Sequence, residues 1–266
     1  MGIIAAIRDF LTPLPVWAER GEILMPLFGQ AHRLWLIACV CAGLLLTRAH
    51  RRLEHSPQAK RRFELGIATA PIVLLCAHMA SMLCFSAFYP SCLPLHLCNL
   101  CEVLAIAFAL TGNGLYGNVL YGVGLAGSAS ALIFPGWGHA PAFSLPSICG
   151  FGEHLLVLAF IVMKLRDKGI RPAFWDIWQP IVFTGIYVCA IYPFNKRHGT
   201  NFAFVNWALP DTPLAAWDEI YGNPGYIAVY ALAFLLFELM LFLPWRTRGA
   251  SAGGGSERRW GARTRG

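Results

Sequence analysis

Seven apolar stretches of the chain are each long enough to cross a hydrocarbon layer, near residues 27–46, 64–86, 93–111, 115–135, 145–165, 174–194 and 224–244. A bilayer core of about 30 Å takes about 20 helical residues, and backbone that leaves polar groups unpaired is excluded from lipid. The sequence therefore predicts an all-α polytopic transmembrane helix bundle of about seven spans. With 57% hydrophobic and only 13% charged residues, the chain has too few charges to solvate a globular surface. The fourth stretch has the weakest helix signal, because Gly112, Gly114, Gly117, Gly122, Gly124, Gly127 and Pro135 crowd it.

The formal net charge is +7, and its distribution argues against a nucleic-acid partner and for membrane topology. Arg48, Arg51, Arg52, Lys60, Arg61 and Arg62 follow the first span; Lys164, Arg166, Lys168 and Arg171 follow the fifth; Arg246, Arg248, Arg258, Arg259, Arg263 and Arg265 form the tail. Basic loops that alternate in this way are cytoplasmic. That predicts an N-terminus outside and a C-terminus in the cytoplasm, which an odd number of spans requires. The organisation expected is an N-terminal interfacial segment over 1–26, the helix bundle over 27–245 and a flexible basic cytoplasmic tail over 246–266.

This topology sorts the reactive residues by side. His32 at the start of the first span, LPLHLC at 93–98, His139 and Cys149 before the fifth span, His154 in its first turns and NKRHGTNFAF at 195–204 all fall on the outer side. Ionisable groups in a membrane are costly and usually face a cavity or a partner. For a single histidine a hydrogen-bonded packing role is the simpler account, so it is the convergence of the group that points to a site. Helix geometry puts Cys98, Cys101 and Glu102 on one face, with His96 turned about 200° from Cys98. A base for Cys98 then comes from another helix, and His154, entering from the same side at similar depth, is the best placed.

Three chemistries suit these residues. In nucleophilic catalysis, Cys98 attacks an acyl carbonyl, His154 relays the proton, and Asn99, His96 or free N–H groups at the helix start stabilise the oxyanion. In a zinc site, His96, Cys98, Cys101 and His154 are the ligands. In a redox or structural role, Cys98 pairs with Cys101, or Cys92 with Cys149. A transporter or lipid-binding scaffold lined by histidines is a fourth possibility, but no internal repeat with paired broken helices supports it. Residues 122–127, GVGLAG, match a dinucleotide-binding pattern without its strand and βαβ context, and are better explained by close helix packing through small residues.

FGQAH at 28–32, LPLHLC at 93–98, GLAGSASALIFP at 124–135, FGEH at 151–154 and HGTNFAF at 198–204 together resemble the YwaF-like family of bacterial integral membrane proteins. That family is related to the eukaryotic transmembrane protein 164, a cysteine-dependent phospholipid acyltransferase, and the resemblance runs from about 28 to 245. It implies that Cys98 is the acyl-carrying nucleophile and His154 its partner. It further implies transfer of a fatty acyl chain between membrane phospholipids and lyso-phospholipids. The chain departs from the family in having Asn99 where an aspartate is usual, and FGEHL where F-x-S-H-G is usual.

The reading is therefore a multi-pass protein of the inner membrane, with a polar pocket on its outer side and cysteine-dependent acyl transfer. Cys98 and His154 are the catalytic pair; His96, Asn99, Asn201 and His32 are the expected substrate or oxyanion contacts. Gly199 and Thr200 are the turn that returns Asn201 to the pocket mouth. No metal, cofactor or nucleic acid is expected.

Overall fold

The structure is a computed structural model that describes residues 2–209 and 212–246, and the basic tail beyond Arg246 lies outside the described residues. All regular elements among the described residues are helices. Two short helices, α1 (Ile3–Leu11) and α2 (Leu14–Ala18), precede α3 (Gln30–Arg52), α4 (Pro57–Cys84) and α5 (Leu97–Thr111). Next come α6 (Gly114–Val119), a π-helical segment (Leu120–Gly124) and α7 (Leu125–Ile133), then α8 (Leu145–Arg166), α9 (Trp178–His198) and α10 (Pro213–Phe242).

Among the described residues, six helices are long and apolar enough to cross a membrane. The seventh expected span is the unbroken helical run formed by α6, the π segment and α7, about 30 Å long at the α-helical rise. Its two ends lie at opposite ends of the bundle. Near its start, Gly117 lies against Phe108 and Ile170, and the Asn118 side chain donates to Gln179 Oε1 at 3.0 Å. Near its end, the Leu132 carbonyl meets His32 Nε2 at 2.9 Å, at the opening of α3. The glycine-rich stretch thus traverses the bundle as a composite helix.

Glycine is needed in that helix for close approach. A Cβ on Gly122 would stand 2.8 Å from Glu238 Oε1 and 2.8 Å from Pro180 Cβ, and one on Gly124 would stand 3.0 Å from Ile161 Cδ1. GVGLAG is therefore a packing surface, as expected, on which α8, α9 and α10 converge. Gly122→Ala meets the Pro180 ring of α9, which cannot rotate away, and the fully buried Glu238 carboxylate of α10. It is expected to cost about 1–3 kcal/mol, read as a lower melting temperature of the detergent-purified protein.

Half of the α8 span is buried inside the bundle, against 11–28% for the other long helices, which makes α8 the central helix. Phe160, Ile161 and Met163 on α8 are fully enclosed with Phe108, Leu120 and Phe242 from α5, the π segment and α10. The peripheral helices keep one face apolar and exposed; on α3, Leu34, Ile37, Val40 and Leu44 follow helical spacing. In water such a face would be unstable, whereas lipid solvates it. α1 stands outside the core with Ile3, Ile4, Ile7 and Phe10 exposed.

The two ends of the bundle differ in chemistry. At one end His50 Nε2 meets Glu64 Oε1 at 2.9 Å and Asp167 Oδ2 at 3.5 Å, while Lys164 pairs with Glu64 at 2.9 Å and Lys60 pairs with Asp167. This basic end locks α3, α4 and α8 together. The opposite end carries the starts of α3, α5 and α8 and the α9–α10 connection.

Helix boundaries depart from expectation chiefly at α10. A helical piece from Pro213 precedes the expected span: Gly222 and Asn223 leave helical geometry, and the second piece restarts at Pro224, near where the span is expected. α9 runs on through the polar residues Asn195 to His198 and stops at Gly199, whose φ of 62° is left-handed and favours glycine.

Candidate functional site

α5 begins later than the proline of LPLHLC. His96 is its N-cap residue, so Pro94 precedes the helix and Cys98 stands in the first turn. The first turn of a helix has N–H groups with no intrahelical partner, and the helix dipole is positive there. Asn99, Cys101, Glu102, Ala105 and Phe108 form the buried face of α5, and Cys98 is half-buried on its flank. Asn99 Nδ2 donates to Glu102 Oε1 at 3.3 Å, while Glu102 Oε2 has no partner. Tyr187 of α9 donates its hydroxyl to the Leu95 carbonyl at 2.7 Å and ties the approach to α5 against α9.

α8 supplies the second half. Its first turns carry Cys149, Gly150, Glu153 and His154, all buried. His154 Nδ1 lies 2.7 Å from the Gly150 carbonyl. A carbonyl can only accept, so Nδ1 holds a proton and the neutral ring keeps its lone pair on Nε2, the state a general base needs. Trp137 stacks on this imidazole with centroids 5.5 Å apart and crosses Phe151 edge-on at 5.2 Å. Gly150 is again a close-approach glycine, since a Cβ there would stand 2.6 Å from the Trp137 ring.

These residues share one region between α5 and α8. Cys98 lies within electrostatic reach of Glu102, Cys101 and Glu153, and His96 within reach of His154. Glu102 and Glu153 are similarly coupled, and each keeps one buried oxygen without a partner. No hydrogen bond joins Cys98 to His154 among the described residues.

The HGTNFAF loop closes over His96. Asn195, fully buried, accepts from the Thr200 hydroxyl at 2.8 Å and the Phe202 amide at 3.0 Å, and donates to the Phe202 carbonyl at 2.9 Å. This knot holds Ala203 and Phe204 at φ of 55° and 57°, a left-handed conformation that is strained for residues other than glycine. The result is two rings against the His96 imidazole, Phe202 at 5.0 Å edge-on and Phe204 at 5.7 Å.

Two expected contacts are occupied elsewhere. His32 is completely buried; Nδ1 accepts from the Phe28 amide at 2.9 Å in the turn before α3, and Nε2 meets the Leu132 carbonyl and fastens α3 to α7. Asn201 accepts from the Asn206 and Trp207 amides and donates to the Trp207 carbonyl, so it shapes its own loop. Gly199 and Thr200 do form the turn, but what the turn delivers is Phe202 and Phe204. All nine cysteines are free. The Cys92–Cys149 pairing is thereby corrected: Cys149 lies within α8, where its thiol donates to the Leu74 carbonyl at 3.3 Å, and Cys92 turns toward the Ala87 carbonyl. His96, Cys98, Cys101 and His154 do not gather as a metal-ligand set. The described cluster with ligand atoms within 4.8 Å is His50, Glu64 and Asp167, already matched by two lysines.

Glu153, Trp137 and Gly150 were not among the residues expected from sequence. Glu153 carried a usable signal, as an acid inside an apolar span. A cleft of about 120 Å³ beside His139 and Met25 is at this end, whereas one of about 500 Å³ lies at the basic end.

The model of the TMEM164 family matches residues 27–244. No curated protein and no solved structure matches the chain.

Proposed function

Because the chain belongs to the TMEM164 family, we propose that this multi-pass membrane protein is a cysteine-dependent acyltransferase that moves fatty acyl chains between membrane phospholipids and lyso-phospholipids. Cys98 Sγ attacks the ester carbonyl carbon of a donor phospholipid while His154 Nε2 takes the thiol proton. The ester C–O bond breaks, and His154 returns that proton to the departing lyso-lipid alkoxide. An acceptor hydroxyl then attacks the thioester, losing its proton to His154, and the thiolate leaves and is reprotonated. Catalytic hydrogen bonds often tighten only with substrate in place, so the separation of Cys98 and His154 is compatible with this role.

The observation that carries the reading is the gathering of a thiol, two imidazoles and two carboxyl groups from α5 and α8 in one mostly apolar region. His96 and the Asn99 amide are the side-chain donors available to an oxyanion. Asn99 also answers its departure from the family pattern: its amide donates to Glu102, which an ionised aspartate could not do. By the positive-inside rule the basic end faces the cytoplasm and Cys98 the outer leaflet of a bacterial inner membrane.

The test is intact-protein mass spectrometry of the detergent-purified protein after incubation with mixed phospholipids. A fatty-acyl adduct, labile to hydroxylamine and mapped to the Cys98 peptide, is expected. An adduct on another residue, or none with any lipid class, would sink the assignment.

A further inference from the structure

The cleft of about 500 Å³ at the basic end has no part in the chemistry assigned to Cys98. It opens between the α5–α6 turn and the α8–α9 connection, and its size is that of a small-molecule site. We propose that it holds the phosphodiester headgroup of a membrane glycerophospholipid, at a site separate from the acyl-transfer region.

The lining has two halves. Phe108 and Ile170 form an apolar floor, which stays open because Gly117 has no side chain: a Cβ there would stand 2.9 Å from Phe108 and 3.4 Å from Ile170. The walls are polar and internally ordered. Asp176 accepts from the Ala173 amide and from Gln179 Nε2, and Gln179 Oε1 accepts from Asn118, which is itself buried. Arg171 is the cation of this lining. Its Nε donates to the Lys168 carbonyl at 2.6 Å, and no carboxylate among the described residues pairs with it. A guanidinium fixed at Nε presents its remaining N–H groups as a fork, the geometry that suits phosphate oxygens. One arginine beside one carboxylate favours a singly charged phosphodiester over a doubly charged monoester.

Two features point to a lipid rather than a soluble phosphate ester. Trp175 on the same connection and Trp178 at the start of α9 are 75% and 57% exposed; such tryptophans sit at headgroup level in a bilayer. The apolar floor also gives a glycerol backbone and the first methylenes a dry surface, which a free phosphate ester does not use.

The experiment is native mass spectrometry of the full chain, delipidated in detergent and titrated with phosphatidylglycerol, alongside a titration with glycerol 3-phosphate. The wild type is expected to retain one phosphatidylglycerol, with affinity reduced about tenfold in Arg171→Gln, the loss of one charge-assisted contact. Gly114 lines the cleft and a Cβ there meets nothing within 4 Å, so Gly114→Phe is expected to plug the cleft with a similar loss while leaving the melting temperature unchanged. Unchanged lipid binding in either folded variant overturns the proposal. Glycerol 3-phosphate competing as well as the lipid overturns the lipid assignment.

Discussion

Cys98→Ala is expected to abolish acyl transfer while the protein still folds. Cys98 is half-buried on the flank of α5, and its thiol is served by the backbone amide of the adjacent Asn99 rather than by a side chain of another helix, while the neighbouring buried face is built by Asn99, Cys101 and Glu102. His154→Gln should retain the adduct but slow its formation and turnover by roughly 10²–10⁴-fold, the usual contribution of a positioned acid–base group. Because thiol and imidazole act in the same step, the double variant should be no slower than Cys98→Ala alone. The measurement is the rate of acyl transfer from a labelled phospholipid to a lyso-phospholipid, with melting temperature recorded for each variant. Normal turnover in folded Cys98→Ala would remove the covalent mechanism. A His154→Gln rate equal to wild type would remove His154 from it and turn attention to His96, the other imidazole of the region.

Gly150→Ala is expected to damage both fold and chemistry. The added methyl would stand 2.6–2.9 Å from three atoms of the Trp137 indole, a rigid ring enclosed by Phe151 and His154. Overpacking of this kind costs about 1–3 kcal/mol. The strain falls on the wall that stacks against His154, beside the residue whose carbonyl fixes Nδ1 of that ring. A displacement near 1 Å at a catalytic group can cost about 10²-fold in rate. Trp137→Leu in the same chain removes the opposing ring, so the double variant should recover much of the melting temperature of Gly150→Ala. It should not recover the rate, since the imidazole has lost its stacking partner. Equal stability of Gly150→Ala and wild type would mean that Trp137 is not a fixed wall.

What was legible in the sequence follows from the solvent. Apolar runs of span length must become helices, because lipid offers the backbone no partners, and this determined the all-α bundle and its long apolar helices. Spacing also brought LPLHLC and FGEH to the same end, since an even number of crossings, the third and fourth spans, separates two segments that both enter from one side. The glycine-rich fourth span was the exception. Its propensity argued against a helix, and tertiary packing on α8, α9 and α10 overrode it, with Gly122 and Gly124 serving close approach instead of flexibility.

Only the tertiary structure decided which polar residues face each other. Helical period fixes angles along one helix but not the rotation of one helix against another, so Trp137 stacking on His154, with Glu153 within electrostatic reach of Cys98, could not be read from spacing. The same limit governed His32 and Asn201, both on the expected side yet hydrogen-bonded to Leu132 across the bundle and to Trp207 within the loop. A neutral polar side chain in an apolar bundle takes the nearest partner it can reach, and which partner is nearest depends on how the helices pack.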